Sequence, residues 1–128
     1  MQIEIKGRNI PVTDDLRQHA ERRLRKVARQ VSDLARLEIE LSQEPNPRVA
    51  DRREVVEATL YLKGITLRAS DASPKMLHSL NLVVDELARQ VKRHRDRRRR
   101  RRQTRAALAR NALGALRGGP ASEAQGSS

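Results

Sequence analysis

Hydrophobic residues recur with a period of two in four short segments and with a helical period in two longer ones. Ile3 and Ile5 alternate with Gln2, Glu4 and Lys6; Leu37, Ile39 and Leu41 alternate with Glu38, Glu40 and Ser42. Val56, Ala58, Leu60 and Leu62 alternate with Glu57, Thr59, Tyr61 and Lys63; Ile65, Leu67 and Ala69 alternate with Thr66, Arg68 and Ser70. Each pattern predicts a strand with one buried and one wet face. Gly64 permits a tight turn, so the last two strands form a hairpin. Leu16, Ala20, Leu24, Val27 and Val31 form one helical stripe behind Thr13, an N-cap followed by Asp14 and Asp15. Leu77, Leu80, Val84, Leu87 and Val91 form another, which Ser73 as N-cap and Pro74 at the first position open. Gly7 and Pro11 punctuate the first connection. Pro45 and Pro47 remove donors from a loop that runs to about Arg53. The order β-α-β-β-β-α predicts an α+β two-layer sandwich, a four-stranded sheet with two helices on one face.

Charge divides the chain of 128 residues unevenly. Residues 1–91 carry a net +2 and residues 92–128 a net +10. The second helix has no evident stop until about Arg102. A weak helix over 104–116 follows, ended by Gly118 and Gly119, and then GGPASEAQGSS, which has little to bury. A body at 1–97 and a largely disordered basic, Ala-rich then Gly/Ser-rich extension at 98–128 are therefore expected.

The chemistry the sequence lacks narrows its role. There is no cysteine, so no thiol nucleophile or thiolate metal site. His19, His78 and His94 have no helical spacing to one another and read as solvated surface; no metal, cofactor, catalytic residue or small-molecule substrate is expected. Glu38 and Glu40 read as alternating charges on a wet strand. No glycine-rich phosphate loop occurs. No apolar run approaches the roughly 20 residues that cross a bilayer, and no secretory signal opens the chain, so a cytoplasmic protein is expected.

The chemistry it has is cationic. Arg22, Arg25 and Arg29 project from the first helix away from its stripe, with Lys26 on the flank; Arg89, Lys92 and Arg93 do so on the second. If the helices pack side by side, these rows flank one groove with a phosphate-like spacing. The run of Arg98, Arg99, Arg100, Arg101 and Arg102, begun by Arg97 and followed by Arg105, forms an accessory basic tail. Tyr61 alone makes no base-stacking platform, so recognition by phosphate, sugar and shape is expected rather than base reading.

The opening MQIEIKGRNIPVTDDLRQHAERRLRKV, the segment ELSQEPNPR and the helix ending DELARQVKRHRDR resemble the ribosome hibernation promoting factor and ribosome-associated inhibitor family over about residues 1–97. The resemblance implies a β-α-β-β-β-α fold like a double-stranded-RNA-binding domain with an added strand. It also implies a bacterial or plastid stress factor that lies in the small ribosomal subunit's channel, contacts its rRNA and excludes mRNA and tRNA by bulk. The family's rRNA-contacting positions match Arg22, Arg25, Lys26, Arg29, Arg89, Lys92 and Arg93, and further along Arg95 and Arg97. The chain departs from the family at Lys75, Leu77 and Asn81, where an acid, a tyrosine and an aspartate are usual. It also ends at Ser128 without the second domain of long members, which reads as a short form or a truncated long one. The alternatives from charge alone are a generic RNA-binding module driven by the tail, then a membrane-surface binder, which the lack of aromatic anchors disfavours, and last an enzyme.

Overall fold

The computed structural model describes residues 1–127, with side chains through residue 115. Its elements are β1 (Gln2–Gly7), α1 (Asp14–Ala28), β2 (Arg36–Gln43), a 3₁₀ turn (Pro47–Arg52), β3 (Glu54–Leu62), β4 (Ile65–Ser73) and α2 (Met76–Ser127). The four strands form one mixed sheet in the order β1-β2-β3-β4. β1 runs parallel to β2, with Ile5 opposite Ile39. Parallel neighbours need a long crossover, and α1 supplies it. β2 pairs antiparallel with β3, and β3 with β4, around the turn at Gly64. Gly64 has φ 81°, a left-handed conformation that a side chain disfavours.

The alternation sorts as expected. Ile5, Leu37, Ile39, Leu41, Val56, Ala58, Leu60 and Ala69 are buried in one cluster with Ala20, Leu24 and Val27 of α1 and Leu80, Val83, Val84, Leu87 and Val91 of α2. Both helices therefore share the same sheet face. No buried residue of this core is aromatic, so aliphatic side chains alone fill it. The Thr13 side chain accepts from the Leu16 N–H, capping α1 as its position predicted.

Three boundaries differ from the sequence reading. α1 closes at Ala28 with Arg29 as cap, so Val31 packs against the core from beyond the helix. β4 runs on to Ser73, which pairs with Glu54. Ser73 is therefore a strand end rather than the N-cap of α2; the Ser79 N–H bonds the Lys75 carbonyl instead, so the helix starts later. Leu77, read as a stripe residue, is exposed, and Met76 packs in its stead.

α2 does not stop at Arg102. Residues 98–115 continue it and are almost all exposed, where a separate weak helix and disorder were expected. Arg, Gln, Ala and Leu are all strong helix formers, and no proline interrupts them there. The expectation of disorder for the Gly/Ser-rich end falls on residues 116–128, whose side chains lie outside the described ones. The chain divides into two compact units, Met1–Lys92 and Arg93–Ser128.

Candidate nucleic-acid interface

Arg22, Arg25 and Lys26 lie on α1 and Arg29 caps it; Arg89 and Lys92 lie on the part of α2 inside the first unit. All six are exposed. Two side-chain contacts fix the helices against each other. His19 Nε2 lies 2.8 Å from Asn81 Oδ1, and Arg23 donates to Asp85 Oδ1 at 3.2 Å. Both pairs are separated by 62 positions. A constant separation, one helical turn apart on each helix, means that α1 and α2 run parallel. The same offset carried forward along α1 sets Lys26 level with Ala88. The cations of α1's last turn and Arg89 of α2 thus stand at about one level. Arg25 and Lys26 also lie where the α1 dipole is negative, which favours them locally.

Arg89 is not a bare cation. Its Nε and a terminal nitrogen both donate to Glu86 Oε2, at 3.0 and 2.8 Å. Glu86 Oε1 also accepts from Gln90, whose amide reaches the Arg68 carbonyl on β4 at 2.7 Å. An incoming phosphate must compete with that carboxylate for Arg89. Arg23, Asn81 and Asp85 were missed by the sequence reading, although the i,i+4 spacing of 19 and 23 matches that of 81 and 85.

The sheet's open face has a different charge pattern. The Arg36 guanidinium lies 4.5 Å from the Tyr61 ring centroid, and the Tyr61 hydroxyl donates to Glu38 at 3.3 Å. Arg36 also pairs with Glu38 at 3.7 Å, Lys6 with Glu4 at 3.3 Å, and Arg8 with Glu40 at 3.9 Å. Tyr61 therefore packs a neighbour and offers no free ring to a base. Glu38 and Glu40 sit among cations, as their alternation suggested. An open cleft of about 710 Å³ beyond this sheet end is lined by Arg8, Asn46 and Arg53 but also by Glu44 and Glu57, so its charges offset one another.

Two histidines are not the solvated residues expected. His19 is half-buried in its bond to Asn81. His94, in the second unit, has an Nε2 that is sealed from solvent with no hydrogen-bond partner among the described residues. Burial first, then the charges of Arg98, Arg101 and Arg97, hold its pKa below the ordinary value. His78 is exposed. Arg93, Arg95 and Arg97 are exposed on α2 in the second unit, as are Arg98, Arg99, Arg100, Arg101, Arg102 and Arg105. Among the described residues no three His, Asp or Glu side chains gather as a metal site, and no helix is long and apolar enough to cross a membrane.

Fold and charge together define an α+β sandwich with cations concentrated on its helical side. The chain belongs to the Sigma 54 modulation protein / S30EA ribosomal protein family, whose profile matches residues 3–99. It is 31% identical over 98 residues to the ribosome hibernation promotion factor of Picosynechococcus sp., covering 76% of this chain and 50% of that protein. It is 33% identical over 98 residues to the factor of the same name from Lactococcus lactis, covering 76% and 51%. The chain thus spans about half the length of these relatives. The Thermus thermophilus Protein Y N-terminal domain superposes with a TM-score of 0.61 at 26% identity, over 73% of this chain and 99% of that one. A ribosomal subunit interface protein from Coxiella burnetii shares the fold, with a TM-score of 0.61 at 19% identity over 75% and 99%.

Proposed function

We propose that this protein is a cytoplasmic ribosome hibernation factor that acts by occupancy rather than catalysis. Residues 1–97 form the ribosome-binding domain. They bind the rRNA of the small subunit in the channel used by mRNA and tRNA, and so stop translation under stress. The observation that carries this reading is the common level of the last turn of α1, with Lys26, and Arg89 of α2. Two parallel helices there turn a row of cations outward, and such a row suits a phosphate backbone. Arg93, Arg95 and Arg97 are further exposed cations in the second unit. The names of the relatives, which are ribosome hibernation promotion factors, support the same reading.

Co-sedimentation with separated ribosomal subunits tests it, comparing the full chain with residues 1–97 and using an mRNA with initiator tRNA as competitor. Both forms travel with the small subunit and are displaced by the competitor. Binding by the full chain alone, to any RNA equally, would instead make the protein a generic polyanion binder driven by its arginine run. The run's exposure keeps that second reading in play.

A further inference from the structure

The arginine run is helical, and that changes what it can bind. Successive helical residues turn by about 100°, so six consecutive arginines leave no sector wider than about 100° without a cation. Arg97, Arg100 and Arg101 cover one side of the helix, and Arg98, Arg99 and Arg102 cover the other. Among the described residues no salt bridge reaches any arginine between Arg95 and Arg105. That stretch holds eight arginines and one acid, Asp96. At about 1.5 Å rise per residue it presents one net charge per roughly 2.4 Å. A nucleic-acid duplex carries one phosphate charge per about 1.7 Å.

A helix that lies on a flat surface needs one face for the surface and another for water. A membrane-surface helix in addition needs an apolar face. This segment has neither division. Its like charges at i,i+3 and i,i+4 repel, which costs helix stability unless anions stand on every side.

We infer that this arginine helix binds structured RNA in an enclosing site, a widened groove or junction that sets phosphates on at least two opposite sides of the helix. The choice of RNA rests on the proposed function; the enclosure rests on the all-round charge. A regular A-form major groove is too narrow for side chains to read, so the partner is an RNA whose groove is opened by a bulge or junction.

Two full-length triple variants test the enclosure: Arg97→Gln with Arg100→Gln and Arg101→Gln, and Arg98→Gln with Arg99→Gln and Arg102→Gln. Glutamine keeps helix propensity, which circular dichroism verifies. The probes are a bulged RNA hairpin, polyuridine and phosphatidylglycerol vesicles, with affinity measured against salt. Both variants flatten the log–log salt slope on the hairpin by about 2 to 3, while the corresponding Arg→Lys triples do not. A full effect from one triple and none from the other would overturn the enclosure. Polyuridine bound as tightly as the hairpin, or vesicles that displace the hairpin, would overturn the structured-RNA partner. Failure of the ribosome reading shows separately, as loss of small-subunit co-sedimentation with hairpin slopes unchanged.

Discussion

The junction between β4 and α2 rests on two buried serines whose removal has a calculable cost. Ser73 is 5% exposed and Ser79 is fully buried. Their hydroxyls lie 2.7 Å apart. The Lys75 N–H donates to Ser73 Oγ at 3.2 Å, and Ser79 O–H donates to the Glu54 carbonyl at 2.6 Å. Each hydroxyl has one proton. The Ser79 proton serves Glu54, which leaves the Ser73 proton for Ser79 or for the Lys75 carbonyl at 2.7 Å. Ser79→Ala removes the hydroxyl that donates to the Glu54 carbonyl, while Ser73 keeps an alternative acceptor. Loss of one such bond costs about 0.5–1.5 kcal/mol. Ser73→Ala strips the Lys75 N–H of its partner and costs about 1 kcal/mol. The bond between the serines is lost in both single variants, so the double variant is less destabilised than their sum by about 0.5–1.5 kcal/mol. Urea unfolding followed by far-ultraviolet circular dichroism measures this. With a slope of about 1–3 kcal/mol/M, a loss of about 2 kcal/mol moves the midpoint by about 1 M. Strict additivity, or a Ser79→Ala cost below about 0.5 kcal/mol, would show that the relay is not a coupled unit.

Three other outcomes follow from the geometry. Gly7→Ala sets a Cβ 2.0 Å from the Ile10 carbonyl oxygen, a backbone atom, so it destabilises by about 1–3 kcal/mol; Gly64→Ala meets no atom but keeps a positive φ and costs about 1–2 kcal/mol, as thermal melts of the two variants would show. His94 has its pKa lowered from 6.5; the unfolded chain therefore takes up a proton first as pH falls, and stability declines below about pH 6.5 until the folded value is passed. His94→Gln removes that decline, which urea midpoints at about pH 7.5 and 5.5 detect. Asp85→Asn breaks the Arg23 pair, whose side chains are 44% and 55% exposed, and costs less than about 1 kcal/mol in the same assay at low salt.

The strands and both helices were legible because burial enforces period. Leu37, Ile39 and Leu41 could not all face water, and the alternation in β3 leaves one choice of inward face. The outward direction of Arg22, Arg25 and Arg29 followed from the same geometry in reverse. The extension was legible in part: helix to about Arg102 and a further helix over 104–116 were read from the pattern, and what was missed is that residues 98–115 continue one helix, with no proline among them to end it. The helix-to-helix ties His19–Asn81 and Arg23–Asp85 were hidden for another reason. They join residues 62 positions apart, and local pattern does not fix the packing offset of two helices. Ser73 misled because a serine before proline has the signature of an N-cap, yet its pairing with Glu54 keeps it in the sheet.

The parallel pairing of β1 with β2 also sets an order of assembly. Leu62 and Ile65 pair across a turn of a few residues, whereas Ile5 meets Ile39 only after most of the first half of the body has been looped. Loop-closure entropy makes the second contact costlier by about 2 kcal/mol. The β3–β4 hairpin therefore forms early and β1 joins late. The large loop that must close is the one that contains α1. The cations from Arg22 to Arg29 are thus brought into register with α2 only when the sheet's last edge is sealed.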